Sequence, residues 1–315
     1  MGCDCFVKAF GYLGLTFVAY KVLTALYNIV YPYFLAGKID LLQKAGAKWA
    51  VVTGSTDGIG KAYSFDLARR GFNVLLISRS QDKLEATKKE IKDKYSNVEI
   101  KTYTFDFSTG KYADYVPLLE ELKKYDIGVL VNNVGLSYEY PERMHLVEGG
   151  VERLSSITSM NTLPPTLLTA TVLPQMVERK KGVVINLSSA AGYNTMAYWA
   201  VYSATKRYVQ WLSAILRMEY GPNITIQTVC PMLVATNMSK VKKTSFFTPN
   251  PTTFARAALD TVGHVSETTG YYTHQIQLEF LSAIPCWLRD KILTNTSLSI
   301  RGAALRKKER EAKSQ

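Results

Sequence analysis

Short apolar runs alternate with amphipathic stretches along most of this chain. From Ala47 the pattern predicts strands at 49–54 (WAVVTG), 73–78 (NVLLIS), 98–107 (VEIKTYTFDF), 127–133 (IGVLVNN), 182–189 (GVVINLSS) and 224–230 (ITIQTVC). Between them lie helical stretches at 59–71, 80–95, 111–125, much of 151–180, and 199–220. The helix over 151–180 is expected despite Pro164, Pro165 and Pro174 within it. Apolar strands separated by helices predict an α/β fold, a doubly wound parallel sheet covered on both faces. A loop-and-helix region at about 232–265 interrupts the alternation before a last strand near Gly270–Gln275, and a substrate lid is expected there. No internal repeat or low-complexity block is present.

The first residues follow a different pattern. Positions 5–37 are strongly apolar, with Lys8 and Lys21 as their only charges. A membrane span needs about 20 apolar residues, and Lys21 divides this run. Two geometries follow: one span from about Phe10 to Leu26 with Lys21 snorkelling to an interface, or an interfacial segment held by its tyrosines. Either makes residues 1–46 a hydrophobic anchor and linker, in contact with membrane lipid. No basic leader precedes a compact apolar core and a small-residue cleavage site, so a signal peptide does not fit. Phe6 stands where N-myristoylation wants Ser or Thr. Cys3 and Cys5 are candidates for palmitoylation, with chance placement the alternative.

Composition narrows the class. The chain has 315 residues, 47% hydrophobic and 20% charged, which suits one large core and excludes a disordered or fibrous protein. Four cysteines cannot build a disulfide framework, and no Cys/His cluster completes a metal site. Lys and Arg number 38 against 26 Asp and Glu, a net charge of +12. Part of the excess sits at Arg301, Arg306, Lys307, Lys308, Arg310 and Lys313, read as a solvated tail beside a membrane surface. No zinc-finger or RNA-binding signature accompanies the charge, which sets nucleic acid aside.

The first strand runs into Thr53-Gly54-Ser55-Thr56-Asp57-Gly58-Ile59-Gly60. Glycines permit tight turning and close approach of backbone to a pyrophosphate, and the following helix offers unpaired N–H groups to it. Strand, glycine turn, helix and second strand is the context a dinucleotide site requires. The residues expected to hold the cofactor here are Gly54, Ser55, Asp57, Gly58, Ile59 and Gly60. An NAD site usually has an acidic residue after the second strand. None occurs from Val74 to Ser80, and Arg79 offers a cation for a 2′-phosphate, so NADPH is expected. The alternative for Arg79 is a surface arginine.

Tyr202 and Lys206 are four residues apart on a predicted helix and so share a face. A free tyrosine titrates near pH 10. A nearby ammonium favours the phenolate and lowers that value, so the phenol can exchange a proton with a substrate oxygen. Thirteen residues before Tyr202, Ser189 ends the fifth strand, where ligands of such sheets bind. Ser189 can donate a hydrogen bond to the same oxygen; Ser188 is the alternative.

The glycine cradle, Asn132-Asn133-Val134-Gly135, Asn161, Ser189, Tyr202 and Lys206 together resemble the short-chain dehydrogenase/reductase family, over about residues 47–280. The resemblance implies a Rossmann catalytic domain. It makes Tyr202 the general acid, Lys206 a holder of the nicotinamide ribose, Ser189 the group that orients the substrate carbonyl, and Asn161 the holder of a water in a proton relay. It further implies that Asp106 contacts the adenine, that Asn133 and Gly135 support the cofactor, and that Thr236 meets the carboxamide. Two positions depart from the family pattern: Val134 in N-N-A-G, and Met232 where Pro-Gly is usual. Without the family, Asp106 reads as a helix cap and Asn161 as helix surface.

The apolar N-terminus with VVTGSTDGIGKAY, NNVGLSYEYPE, VYSATK and KTSFFTP resembles the membrane-bound very-long-chain 3-oxoacyl-CoA reductases, a branch that includes 17β-hydroxysteroid dehydrogenases of types 12 and 3. This implies reduction of a 3-oxoacyl-CoA in fatty-acid elongation, with the enzyme in the endoplasmic reticulum membrane and its catalytic domain facing the cytosol. A steroid 17-ketone is the alternative substrate, and a catalytically inactive lipid-binding scaffold the alternative of another class. Lys240, Lys242 and Lys243 beside Phe246 and Phe247 are placed to meet CoA phosphates and line an acyl tunnel, or else form a solvated loop. Residues 276–293 are apolar enough for a second membrane contact, a dimer surface or core packing; residues 281–315 read as an apolar helix and basic tail. A homodimer and elongation enzymes are the expected partners.

Overall fold

The computed structural model describes residues 2–314, with side chains from Phe6 onward. The side chains of Cys3 and Cys5 lie outside the described residues. Seven parallel strands form one sheet in the order β3-β2-β1-β4-β5-β6-β7. They are β1 (Trp49–Thr53), β2 (Asn73–Ser78), β3 (Ile100–Thr104), β4 (Ile127–Asn132), β5 (Val183–Leu187), β6 (Thr225–Val229) and β7 (Glu267–Thr268). The helices are α1 (Gly2–Val30), α2 (Leu41–Ala45), α3 (Gly58–Arg69), α4 (Gln81–Lys94), α5 (Tyr112–Leu122), α6 (Gly150–Arg179), α7 (Ala200–Tyr220), α8 (Pro251–Asp260), α9 (Tyr272–Ala283) and α10 (Cys286–Lys313).

The central strands are apolar because both faces are covered. Val52, Val74, Leu76, Val131 and Ile185 pack beneath α3 and α8 with Tyr63, Phe72 and Phe254. Val51, Leu75, Ile77, Leu130 and Val184 pack on the other face with Tyr115, Leu118, Leu168 and Met176. All strand C-termini lie on one edge, and the order reverses between β1 and β4, which opens the crevice where such sheets bind ligands. Two asparagines bind these layers across the sheet. Asn132 and Asn186 are register partners. The amide of Asn132 donates to Asn186 (2.8 Å) and to Thr169 (3.0 Å), and the Asn186 amide donates to Ser213 (2.9 Å).

One sequence expectation is corrected. The last strand is Glu267–Thr268, not 270–275. Gly270 turns the chain at φ +78°, and Tyr272 opens α9, which buries Thr273, His274 and Gln275. The β-branched and aromatic residues there mimicked a strand pattern but pack a helix. The basic end is helical: it continues as α10, tied to the domain by ion pairs Arg301–Glu142 and Lys308–Glu148, while residues 306–314 stay exposed to solvent.

At the N-terminus, α1 continues as one π-helical turn through Tyr31–Leu35. Phe6–Leu35 contains a window of mean hydropathy 1.5, none of it buried. Its last turns dock on the domain: Tyr33 Oη hydrogen-bonds Thr268 (2.7 Å), His264 meets the Gly37 carbonyl (2.6 Å), and Asn28 donates to Glu279 (2.9 Å).

Candidate active site

The turn after β1 is built by close approach. Gly54 N donates to the Ile77 carbonyl (2.9 Å), and buried Ser55 donates its hydroxyl to the same oxygen (3.3 Å). Gly54 and Gly58 have φ of +63° and +51°, which disfavours a side chain. At Gly60 a Cβ would lie 2.2 Å from Gly54 O and 2.4 Å from Asn133 Nδ2. Asn133 braces the turn by donating to Thr53 O (2.9 Å) and Gly54 O (3.3 Å). The turn feeds the N-terminus of α3, where Ile59 and Gly60 N–H have no intrahelical acceptor. These residues fit a pyrophosphate: the cradle leaves no room for side chains, and although Gly54, Ser55 and Gly58 N–H are spent on Ile77 O and Asp57, the Ile59 and Gly60 N–H groups can receive an anion. Ile59 packs partly into the core behind it.

Asp57 serves differently. One carboxylate oxygen accepts from Gly58 N (2.7 Å) and the other from Asn237 of the 232–250 loop (2.9 Å). It therefore caps α3 and ties the loop to the cradle. Thr236, next to Asn237, stands over Gly58, where a Cβ would meet its methyl at 3.2 Å. Arg79 is exposed just after β2, beside Ser78, whose hydroxyl pairs with Thr56 (2.9 Å). Asp106 follows β3 and accepts from Ser108 N (2.9 Å); the α5 cap is Lys111, so Asp106 caps a turn and not that helix.

Ser189, Tyr202 and Lys206 converge at the C-terminal edge of β5. The Ser189 hydroxyl stands near the Tyr202 phenol and favours its ionised form, while it accepts from Ala191 N (3.1 Å). Ser188 instead donates to the Lys206 carbonyl (2.7 Å) and is buried. Lys206 Nζ donates to the Leu187 carbonyl (3.0 Å) and lies 5.8 Å from the Tyr202 ring centroid. Burial pushes the Tyr202 phenol above its ordinary range, with the Ser189 hydrogen bond acting in the opposite direction. Burial also pulls the Lys206 ammonium down to about 8. The expected lowering of the phenol by the Lys206 ammonium is not found: what lowering there is comes from Ser189, and desolvation outweighs it. The phenol holds its proton, as a proton donor must.

Asn161 is buried, not surface polarity. Its side chain accepts from Leu136 N (2.8 Å) and donates to Leu136 O (3.0 Å) and Thr205 (2.9 Å), binding the Gly135 segment to α6 and α7. A Cβ at Gly135 would stand 3.1 Å from Asn161 Oδ1 and 3.3 Å from Lys206 Nζ. The prolines of α6 find their use here. Pro164 and Pro165 occupy the third and fourth positions after Asn161 and have no N–H, so neither helical donor exists for its carbonyl. Met160 and Ala170 also lose their i+4 donors, to Pro164 and Pro174, but only Asn161 has proline at both the third and the fourth position after it.

Sequence reasoning missed His274. Its Nδ1 accepts from Met232 N (3.3 Å) and its Nε2 bonds the Leu233 carbonyl (3.2 Å), holding the loop where the family's glycine is replaced. Burial lowers its pKa to about 4. Among the described residues no cluster of three His, Cys, Asp or Glu could hold a metal. A concavity of about 690 Å³ lies away from this edge, between α6 and α7, lined by residues including Leu173, Val177, Leu212 and Tyr220.

A parallel sheet with a glycine cradle and a Ser-Tyr-Lys cluster on one edge defines a nicotinamide-dependent oxidoreductase. The chain belongs to the short chain dehydrogenase family, whose sequence model matches residues 48–245. It is 62% identical over 316 residues, covering 100% of both chains, to the Caenorhabditis elegans protein named very-long-chain 3-oxoacyl-CoA reductase. Another protein of that worm, whose name assigns it provisionally to the steroid dehydrogenases, is 48% identical over 96% of this chain and 97% of its own. Among solved structures, a short-chain dehydrogenase from Sphingobium yanoikuyae in complex with NADPH superposes with a TM-score of 0.60 at 28% identity, covering 67% of this chain and 82% of that one.

Proposed function

We propose that this protein reduces very-long-chain 3-oxoacyl-CoA to 3-hydroxyacyl-CoA with NADPH, a step of fatty-acid elongation, while anchored in the endoplasmic reticulum membrane by residues 1–46. The catalytic domain, 47–280, faces the cytosol, and 281–315 close over it. End-to-end 62% identity with a relative bearing that name carries the reading.

The cofactor would be held by Gly54, Ser55, Gly58, Ile59, Gly60, Asn133 and Gly135, with Asp57 capping the helix, Asp106 toward the adenine, Thr236 toward the carboxamide and Arg79 toward the 2′-phosphate. When bound, it supplies the hydride that reaches the carbonyl carbon. Ser189 donates a hydrogen bond to the carbonyl oxygen, and Tyr202 gives its proton to that oxygen as charge develops. Lys206 is positioned to hold the ribose and to replenish Tyr202 through water accepted by the open Asn161 carbonyl. Lys242 and Lys243 are exposed beside Phe246 and Phe247, suited to CoA phosphates and an acyl chain. The face around the α6–α7 groove exposes Trp211 and Met218, which suits a homodimer.

A ketosteroid is the second reading, favoured by the 48% relative. Comparing kcat/KM with NADPH for a long-chain 3-oxoacyl-CoA and a 17-ketosteroid decides between them. Faster steroid turnover by a large factor overturns the first reading; no turnover of either, with cofactor bound, favours a scaffold.

A further inference from the structure

The end of α1 and α9 run side by side in opposite directions. Phe34 packs against Tyr272, with ring centroids 5.5 Å apart, and Asn28 donates to Glu279 at 2.9 Å. Six residues back along α1 thus match seven residues forward along α9, as two antiparallel helices of equal rise require. Beyond Glu279, α9 continues down the flank of α1 toward Lys21. Ala283 lies about 6 Å below Glu279 at 1.5 Å per residue. The chain then turns at Ile284 and Pro285, both extended, and returns as α10.

This elbow carries no charge from residue 280 to 288 (FLSAIPCWL). Phe280 and Trp287 are 68% and 71% exposed there. Polar groups bound it on both sides: Glu279 with Asn28 and Gln275, and Arg289 with Asp290. The return helix is fixed farther on, where Arg301 meets Glu142 about 21 Å along its axis from the elbow. The elbow therefore projects from the catalytic domain along the apolar α1, its bare aromatic side chains at about the depth of Thr24 to Tyr27.

We propose that the α9–α10 elbow is a second membrane-seated element, a shallow apolar wedge entering the same leaflet from which α1 emerges. Its occupant is the lipid bilayer, and the proposal rests on α1 being the membrane anchor. A Trp flanked by apolar residues and followed by Lys291 suits the boundary of headgroups and acyl chains. The wedge also sets the height of the substrate loop. Phe246 packs against Tyr272 at 6.0 Å, the ring that also meets Phe34 where α1 leaves the apolar layer. The loop aromatics thereby lie at the membrane surface, where a long acyl chain would leave the bilayer sideways.

The test uses the full chain reconstituted in phosphatidylcholine–phosphatidylserine vesicles with brominated acyl chains. Co-flotation reports the anchor, and the difference in emission between the wild type and Trp287→Phe reports the elbow. Trp211, on the α7 face, serves as an unquenched internal reference. The wedge predicts that about half or more of the Trp287 emission is quenched, as for an element 5–10 Å into the interface. Flotation with Trp287 unquenched by bromine and open to acrylamide overturns the wedge and leaves the anchor standing. Shielding from both quenchers overturns it in favour of a second copy of the chain. Failure to float refutes the anchor and the wedge with it.

Discussion

Arg301 of α10 grips Glu142 with its Nε 2.8 and 2.9 Å from the two carboxylate oxygens and a second nitrogen at 2.8 Å. Burial raises the carboxyl pKa, but Arg301 and the Arg143 N–H pull it down further, below the usual carboxylate range. Glu142 N in turn donates to the carbonyl of Tyr198 (3.0 Å), a non-glycine residue held at φ +70° just before α7. The C-terminal helix thus steadies the entry to the helix that carries Tyr202. Arg301→Ala is expected to lower kcat/KM by about 10- to 100-fold, since small misplacements of reacting groups have effects of that order. Arg301→Lys should recover part of it, and steady-state kinetics beside a thermal melt checks both.

Tyr202→Phe removes the proposed proton donor and leaves the glycine turn intact. kcat is expected to fall by about 10²–10⁴-fold with NADPH binding intact. Lys206 gives a pH signature. Its pKa is depressed to about 8, so its charge is present below that pH and lost as pH rises through it. kcat/KM should decline along the same limb in a rate profile, and Lys206→Arg should carry the limb upward in whatever activity it retains.

Gly60→Ala sets a methyl group against Gly54 O and Asn133 Nδ2 at distances no packing tolerates. Overpacking of this kind costs about 1–3 kcal/mol. NADPH affinity, read by fluorescence titration, should be lost, whereas Gly11→Ala on the exposed α1 should leave it unchanged. Arg79→Asp should weaken NADPH relative to NADH; an unaltered ratio would mean that the phosphate is held elsewhere.

His274 makes the fold sensitive to acid. Its Nδ1 accepts a hydrogen bond, so protonation there opposes the Met232 N–H. With the folded pKa near 4 against an ordinary 6.5, the unfolded chain binds more protons between these values. Stability is therefore expected to fall as pH drops from 6.5 to 4, by about 3 kcal/mol at the lower end. Urea melts across this window check it, and His274→Asn should flatten the slope.

The strands, the cradle and the Tyr202–Lys206 spacing were legible because each is a local pattern: apolar runs, glycines at fixed offsets, one helical turn. What escaped depends on distant partners. Nothing near Tyr271–Gln275 says that the sheet needs only Thr268 there before the chain turns. Nothing near Arg301 says that Glu142 awaits it 159 residues away. Tyr202 itself was placed readily on its helix, but the direction of its pKa follows from burial, which spacing alone does not give. His274 read as one more residue of a strand because its two backbone partners lie 41 and 42 residues away.

The asparagine pair beneath the site has a mechanical consequence. Asn132 immediately precedes Asn133, which braces the glycine turn, and Asn186 stands three residues before Ser189. Because side chains alternate across a strand, sliding β4 past β5 by a single step would point these amides to opposite faces and strand them in hydrocarbon. The two amides act as a dowel through neighbouring planks. The separation between the Asn133–Gly135 segment and Ser189 is fixed below the floor of this edge, before any ligand arrives.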